Sequence, residues 1–277
     1  MSDSGKSLRL YRILDADTRK GVIVAFDHGL MLGPIPGLTP PRERLKMFLE
    51  GGADAVLLSP GMLRAFADLL AGRGTGIIVR LDWTNMWRDP KLLGFREGRS
   101  CAIGSVEDAV RWGADAVLTY LFVGSTDAAS EAEEIRRNAE VNRACERFGL
   151  VHIIESMARG SRVERTNSKE LVGLHTRIAG ELGADLIKTD FLEQESETAD
   201  VICTSLIPVL LAGGPKMTES RVLALIKRSV KGGASGIVFG RNVFQAVDPV
   251  AFLRAARRAV HGHEPPLRSS VVHRHEL

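Results

Sequence analysis

Short apolar runs rich in β-branched residues alternate along the chain with longer amphipathic segments. Eight runs bounded by turn residues predict strands, and six segments with apolar residues three or four positions apart predict helices. Strands alternating with helices over about 240 residues predict a single-domain parallel (β/α)8 TIM barrel, an α/β fold. The predicted strands are Val22–Phe26, Ala55–Ser59, Gly76–Asp82, Ala116–Phe122, Val151–Glu155, Leu186–Asp190, Pro208–Ala212 and Gly236–Phe239. The predicted helices are Arg42–Glu50, Val106–Trp112, Ala129–Phe148, Leu171–Leu182, Glu219–Lys231 and Val250–Val260.

A short internal repeat favours the same fold. GADAV at 52–56 and 113–117, GADLI at 183–187 and GASGI at 233–237 each place a glycine directly before an apolar strand. Glycine adopts the left-handed conformation that commonly ends a helix. The copies precede predicted strands two, four, six and eight, as expected of a double βα unit used four times. A doubly wound open sheet is the alternative, but no GxGxxG follows the first strand.

Both ends of the chain lie outside this repeat. We divide the chain into an N-terminal segment at 1–21, the barrel at 22–260 and a polar C-terminal tail at 261–277. The tail has paired prolines and four histidines, which we expect to be solvated side chains on a mobile segment or on a strap against a neighbouring subunit. The arginines Arg254, Arg257 and Arg258 are expected to form a solvated helix face.

Composition narrows the class of partner. The 277 residues are 44% hydrophobic and 26% charged, which is typical of a globular protein with a substantial core. A net charge of +3 provides little of the basic field expected for nucleic-acid or membrane-surface binding, so a small molecule is the expected partner. Three widely separated cysteines and the lack of an apolar N-terminal signal predict a cytoplasmic protein.

The sixth predicted strand places a lysine inside the barrel. Lys188 and Asp190 alternate with Leu186, so all three are expected to face the barrel axis near the catalytic end. Burial of an ammonium group favours the neutral amine, which is a nucleophile for carbonyl groups. The alternative is that Lys188 points outward or forms a structural ion pair with Asp190.

Strand one ends in Asp27, followed by His28 and a loop rich in glycine and proline. A carboxylate at this end of the barrel could act on a proton of a substrate above the strands. It could equally accept hydrogen bonds from its own loop.

Glycine-containing segments follow the last two predicted strands. Gly213 and Gly214 come after strand seven, and Gly240 and Arg241 come after strand eight. These two loops commonly bind phosphate in TIM barrels, because glycine lets backbone N–H groups approach an anion closely. The segments therefore predict a phosphate site, with Arg241 as an added cation.

The segments AFDHGLMLGPIPGL, GADLIKT, LLAGGPK and GASGIVFGRNVFQ together resemble the archaeal-type class I aldolases of the DeoC/FbaB/LacD superfamily. The resemblance extends from Val22 to Val260. This group includes fructose-bisphosphate aldolase, aminodideoxyheptulosonate synthase and a thiolase of autoinducer catabolism. The resemblance implies an aldehyde-lyase in which Lys188 forms a Schiff base with a phosphorylated ketose or related keto compound.

The resemblance also implies roles for the other candidate residues. Asp27 corresponds to an aspartate that transfers protons or holds substrate hydroxyls. The residues assigned to binding of the substrate or its phosphate are His28, Arg159, Gly213, Gly214, Gly240 and Arg241.

One position departs from the family pattern. Family aldolases have Tyr-Pro-Arg-Gly after strand five, whereas this chain has Met157 at the tyrosine position, 31 residues before Lys188. A thioether cannot exchange a proton, so another group must do so or the reaction must differ. Glu155 and Asp190 are the candidate substitutes.

Two other functions remain open on this evidence. An acyl or ketol transferase that uses the same lysine, as in the thiolase branch, would explain the loss of the tyrosine. A phosphosugar-binding barrel without turnover is the second alternative. We expect no metal or cofactor, because the histidines and cysteines lack ligand spacing and an imine supplies the electrophile. The resemblance implies a homo-oligomer, often a decamer.

Overall fold

The computed structural model describes residues 4–263, in which eight parallel strands close into a barrel. The barrel strands are β1 (Gly21–Ala25), β2 (Ala55–Leu58), β3 (Gly76–Arg80), β6 (Ala116–Val123), β7 (Val151–Ala158), β8 (Leu186–Thr189), β9 (Val209–Ala212) and β10 (Gly236–Phe239). β10 pairs with β1 and closes the sheet. The predicted TIM barrel is therefore confirmed. The third predicted strand ends early, since Asp82 begins an antiparallel hairpin of β4 (Asp82–Thr84) and β5 (Ser100–Ala102).

Helices connect the strands and cover the outside of the barrel. They are α1 (Ser4–Ile13), α2 (Gly29–Leu32), α3 (Pro41–Glu50), α4 (Pro60–Ala65), α5 (Ala67–Leu70), α6 (Val106–Arg111), α7 (Ala128–Phe148), α8 (Lys169–Glu181), α9 (Glu195–Thr204), α10 (Glu219–Lys231), α11 (Arg241–Phe244) and α12 (Pro249–His261). All six predicted helices are present, with ends shifted by at most two residues. Within residues 4–263, no helix combines the length and apolar character needed to cross a membrane.

The repeated glycines end helices as the sequence predicts. Gly52, Gly113, Gly183 and Gly233 have φ angles of 81°, 75°, 88° and 98°. These angles lie in the left-handed region, where a residue without a Cβ is not strained. Each glycine reverses the chain just before β2, β6, β8 or β10.

The aspartates of the repeat hold the amino ends of neighbouring strands. Three carboxylates accept hydrogen bonds of 2.8–2.9 Å from backbone N–H groups near the start of a strand. The pairs are Asp54 with Val22, Asp115 with Ile77 and Asp185 with His152. The repeat thus fixes the bottom of the barrel, away from the end where TIM barrels have active sites.

Helix α1 closes this bottom end. Arg12 contacts Asp115 at 2.9 Å and Lys6 contacts Asp185 at 3.0 Å, so the helix supplies cations to two of the repeat aspartates. Ile13 at its end is fully buried against the core inside the barrel. Helix α1 therefore packs on the barrel, although its polar sequence did not predict a helix.

The contacts of Asp54, the remaining aspartate of the repeat, correct two expectations. Arg257 Nη1 lies 2.6 Å from Asp54 Oδ1, and His261 Nε2 lies 3.0 Å from Asp54 Oδ2. Both side chains are buried, because α12 turns this face toward the bottom of the barrel. The prediction that Arg257 is solvated is wrong, as is the prediction for His261, the last residue of α12. Tail residues 264–277 lie outside the described part of the chain.

Replacing Asp54 tests this buried cluster. Asp54→Asn removes the carboxylate charge that Arg257 faces, so the free energy of unfolding should fall by about 3–5 kcal/mol. Urea unfolding at neutral pH measures the change. Asp68→Asn, which affects an exposed pair with Arg42, is the matched control and should not shift the midpoint measurably. Equal stability of Asp54→Asn and the wild type would contradict the role given to this cluster.

Candidate active site

A pocket of about 120 Å³ opens at the carboxyl ends of the barrel strands. All ten residues that the sequence selected line this pocket, although they come from loops and strands distributed over most of the chain. They are Asp27, His28, Glu155, Arg159, Lys188, Asp190, Gly213, Gly214, Gly240 and Arg241. The structure therefore brings these ten residues together at one end of the barrel.

Lys188 lies on the inner face of β8 and is 5% exposed. The strand register places it beside Glu155 of β7, which is beside Tyr120 of β6, so the three side chains share one layer. Lys188 Nζ lies 2.6 Å from Glu155 Oε1. The inward direction of the lysine is as predicted. Its ion-pair partner is Glu155 and not Asp190, the partner in the alternative interpretation, because Glu155 is the residue in register with it.

Arg80 connects the carboxylates at the floor of the pocket. Its Nε donates to Asp27 Oδ2 at 2.8 Å, its Nη2 donates to Glu155 Oε2 at 2.6 Å, and its Nη1 lies 3.5 Å from Asp82 Oδ1. The guanidinium also lies 3.8 Å from the centre of the Tyr120 ring. Arg80 is 1% exposed, so water has little access to these ion pairs. The floor is one continuous buried ion network.

The network keeps the carboxylates of Asp27 and Glu155 ionised. Burial alone would raise the pKa of Asp27, but the charges of Arg80 and Lys188 outweigh it and lower that pKa. Burial also opposes ionisation of Glu155, whose pKa is lowered by Lys188 and Arg80. Both side chains are therefore anions at neutral pH.

His28 is a neutral imidazole beside this network. Burial lowers the pKa of His28 to about 4, and Asp27 only partly offsets this effect. Its Nδ1 lies 3.6 Å from Asp27 Oδ1, beyond hydrogen-bond distance, and has no partner among residues 4–263. The ring fills the space where a side chain at Gly240 would lie. Glycine at 240 is therefore needed for His28 to line the pocket.

The loops after β9 and β10 are joined by Asn242. Its side-chain amide donates to the carbonyls of Gly213 at 2.8 Å and Pro215 at 3.1 Å, and accepts from the Met217 N–H at 2.9 Å. The glycine pair and the Arg241 segment are thus held together, as the predicted phosphate site requires. Arg241 Nε is buried and has no hydrogen-bond partner among the described residues.

Arg159 and Asp190 are paired with each other. Arg159 Nη1 and Nη2 donate to the two oxygens of Asp190 at 2.8 Å and 3.0 Å, a bidentate contact. Arg159 Nη2 also lies 3.3 Å from the sulfur of Met157. The structure therefore favours Glu155 over Asp190 as the carboxylate at the lysine. Arg159, which the sequence analysis assigned to substrate binding, is thus paired with the carboxylate of Asp190.

Aromatic and apolar side chains form the wall on the β6–β7 side. Met157 packs with Tyr120 and Phe122, and Trp87 from the β4–β5 hairpin covers them. Trp87 Nε1 donates to the Tyr120 hydroxyl at 2.9 Å, and the rings of Tyr120 and Phe122 stack at 4.8 Å. The hydroxyl of Tyr120 donates to no acceptor among residues 4–263, so its proton is free for a ligand.

Arg80, Tyr120 and Trp87 were not selected from the sequence. Arg80 lies two residues before Asp82 in the third predicted strand, so both side chains point to the same face of the sheet. This alternation could have identified Arg80. Tyr120 lies in a continuously apolar strand, where an aromatic residue indicates only core. Trp87 reaches the pocket from a hairpin that the strand pattern did not predict.

Comparison with known proteins identifies the family. The sequence model for DeoC/LacD family aldolase matches residues 21–246. The chain is 34% identical over 267 residues to 2-amino-3,7-dideoxy-D-threo-hept-6-ulosonate synthase of Halobacterium salinarum, covering 96% of this chain and 95% of that protein. It is 30% identical to 3-hydroxy-5-phosphonooxypentane-2,4-dione thiolase of Enterobacter sp., covering 94% and 82%.

A solved structure gives the same result. An archaeal fructose-1,6-bisphosphate aldolase, with its catalytic lysine bound to the carbinolamine intermediate of the substrate, superposes with a TM-score of 0.82. That structure is 30% identical and covers 93% of this chain and 100% of its own. The chain belongs to the DeoC/LacD family of aldolases. It is an enzyme that forms or cleaves carbon–carbon bonds.

Removing Arg80 tests the electrostatics of the site. In Arg80→Met the carboxylates of Asp27, Asp82 and Glu155 lose their shared counter-ion, so their pKa values should rise in the folded state. The folded protein then binds more protons than the unfolded chain, and its stability must fall as the pH rises. We expect a loss of about 3–5 kcal/mol at pH 8 and a smaller loss at pH 5.

Urea unfolding at both pH values measures this difference. Arg80→Lys is the matched control, because it keeps one positive charge and should show a weaker dependence on pH. A loss of stability that is equal at pH 5 and pH 8 would mean that Arg80 acts by packing alone.

Proposed function

We propose that this aldolase cleaves or forms a carbon–carbon bond in a phosphorylated keto compound through an imine on Lys188. The main support is one observation: the buried Lys188 amine contacts the Glu155 carboxylate at 2.6 Å in a pocket that also contains the β9 and β10 loops. A lysine amine beside a proton acceptor can attack a ketone. The β9 and β10 loops line the same pocket and provide a place for a phosphate group of that ketone.

Glu155 is the proton carrier for imine formation in this proposal. It accepts a proton from the Lys188 ammonium, and the neutral nitrogen attacks the ketone carbon while the carbonyl electron pair moves to oxygen. Glu155 then returns its proton to that oxygen, takes a proton from the carbinolamine nitrogen and passes it to the new hydroxyl, which leaves as water when the protonated imine forms. The Lys188–Glu155 contact allows these transfers without movement of the backbone.

Asp27 is the base for the carbon–carbon step. Its Oδ2 is held by Arg80 at 2.8 Å, whereas Oδ1 accepts no hydrogen bond from the described residues. In the cleavage direction Oδ1 removes a proton from the substrate hydroxyl, the carbonyl forms, and the carbon–carbon electron pair moves into the protonated imine. The products are an aldehyde and an enamine on Lys188.

The β9 and β10 loops bind the phosphate. Gly213, Gly214 and Gly240 let the backbone approach the anion, and the unpartnered Nε of Arg241 provides a charged donor. The solved relative acts on fructose 1,6-bisphosphate, and the sequence relatives are named for phosphorylated or deoxygenated keto compounds. Two of these three proteins are named for phosphorylated compounds, which supports a keto phosphate as the ligand of this pocket. The three widely separated cysteines favour a cytoplasmic protein, and the family resemblance favours a homo-oligomer.

A transferase reaction is the second candidate. Met157 occupies the position of the family tyrosine, and one relative at 30% identity is named a thiolase. An acyl transferase would require a thiol acceptor such as coenzyme A, whereas the aldolase would not. Product formation from a keto phosphate only when coenzyme A is added would favour this candidate.

Borohydride trapping tests the imine. Wild-type protein incubated with dihydroxyacetone phosphate and borohydride should acquire one covalent adduct on Lys188, because the reduced imine is a stable secondary amine. Lys188→Met should acquire none. Peptide mass spectrometry locates the adduct, and Lys216→Met, which removes a lysine near the phosphate loops, is the matched control. An adduct that persists in Lys188→Met would refute the assignment.

Arg241→Ala tests the phosphate site. Loss of a charged hydrogen bond costs about 1.5–3 kcal/mol, so the half-saturating concentration for trapping of dihydroxyacetone phosphate should rise roughly tenfold or more. Dihydroxyacetone, which lacks phosphate, should be affected little. Arg221→Ala, an exposed arginine paired with Glu193, is the control. Equal effects on the two ketones would count against a phosphate contact.

A further inference from the structure

The pocket has two chemically different sides separated by Lys188. On one side of β8 are β9 and β10, whose loops contain Gly214 and Arg241. On its other side are β7 and β6, which contribute Met157 and Tyr120. A ketone bonded to the lysine with its phosphate toward β9 and β10 would direct its other substituent toward the β6–β7 side. The chemistry of that side therefore selects the second half of the substrate.

The β6–β7 side offers apolar and aromatic surface. Met157 and Tyr120 belong to one buried cluster, and Trp87 and Leu32 pack against it and line the pocket. The Tyr120 hydroxyl accepts a hydrogen bond from Trp87, and the Tyr120 ring lies against the Arg80 guanidinium and stacks on Phe122. Surface of this kind gains free energy when it contacts methylene or aromatic groups, and besides the Tyr120 hydroxyl it provides few partners for a row of hydroxyls.

The charges near this side are already paired within the protein. Arg159 makes a bidentate contact with Asp190, so its guanidinium is neutralised before a ligand arrives. At the floor, Arg80 uses its donors on Asp27, Glu155 and Asp82. A second phosphate on the substrate would have to compete with Asp190 for Arg159.

We infer that the substrate is a monophosphate whose part beyond the ketone, away from the phosphate, is apolar and uncharged. The inference rests on the proposed imine and phosphate sites and adds the chemical class of the remaining substituent. Trp87 and Met157 contact this substituent, and the Arg159–Asp190 pair excludes a second phosphate. A bisphosphorylated sugar is accordingly a poor ligand.

A series of 2-oxoalkyl phosphates tests the inference without knowledge of the natural substrate. The probes are 2-oxopropyl, 2-oxobutyl, 2-oxopentyl and 2-oxohexyl phosphate, compared with fructose 1,6-bisphosphate. The half-saturating concentration for borohydride trapping on Lys188 is measured for each. Burial of each added methylene should lower it by about fourfold until the side is filled. The bisphosphate should require a higher concentration than every member of the series.

Two variants test whether Met157 and Asp190 determine these preferences. Met157→Gln introduces a polar amide on the apolar side and should reduce the gain per methylene to less than twofold, whereas Leu93→Gln on the exposed hairpin should keep the wild-type gain. Asp190→Asn frees the Arg159 guanidinium and should lower the half-saturating concentration of fructose 1,6-bisphosphate about tenfold. Glu193→Gln, a nearby exposed acid, is its control and should not change that value.

The outcomes separate this inference from the proposed function. Absence of an adduct with every probe would refute the imine on Lys188 and the inference with it. An adduct whose half-saturating concentration does not change with chain length, or a preference for the bisphosphate, would refute the apolar subsite alone. The wild-type series is decisive by itself, so the conclusion does not depend on the folding of the variants.

Discussion

The buried contact between Lys188 and Glu155 is the interaction on which the site depends. Moving one charged group out of water costs several kcal/mol, which is a large fraction of the free energy of unfolding of a domain. Arg80 makes the arrangement possible, because it pairs with Glu155 and Asp27 at 2.6 Å and 2.8 Å. In the proposed function Lys188, Glu155 and Asp27 are thereby held in one buried ion network before substrate binds, which is the preorganisation that catalysis requires.

The two ends of the barrel use ion pairs for different purposes. At the amino ends of the strands, the aspartates of the repeat hold backbone N–H groups and pair with Arg12, Arg257 and Lys6. Those contacts are satisfied within the protein and stabilise the fold. At the carboxyl ends, Asp27 Oδ1 and Arg241 Nε lack hydrogen-bond partners among residues 4–263, which leaves them available to a ligand.

The fold could be predicted from the sequence because strand periodicity and the repeated glycines are local signals. The direction of Lys188 followed from alternation along β8, and Asn242 joins the two glycine loops where the prediction required them to meet. The partner of Lys188 could not be predicted, because it depends on the register between β7 and β8. For the same reason, the burial of Arg257 depends on contacts across more than 200 residues of sequence and could not be deduced from α12 alone.

The most direct test of the account is a crystal structure of the protein after borohydride reduction with dihydroxyacetone phosphate. The account predicts a bond between Lys188 Nζ and the former ketone carbon, with phosphate oxygens within hydrogen-bond distance of Arg241 and the Gly213–Gly214 loop. The apolar side formed by Trp87 and Met157 should remain open to the rest of a larger substrate. An adduct on another lysine, or a phosphate bound at Arg159 in place of Asp190, would contradict it.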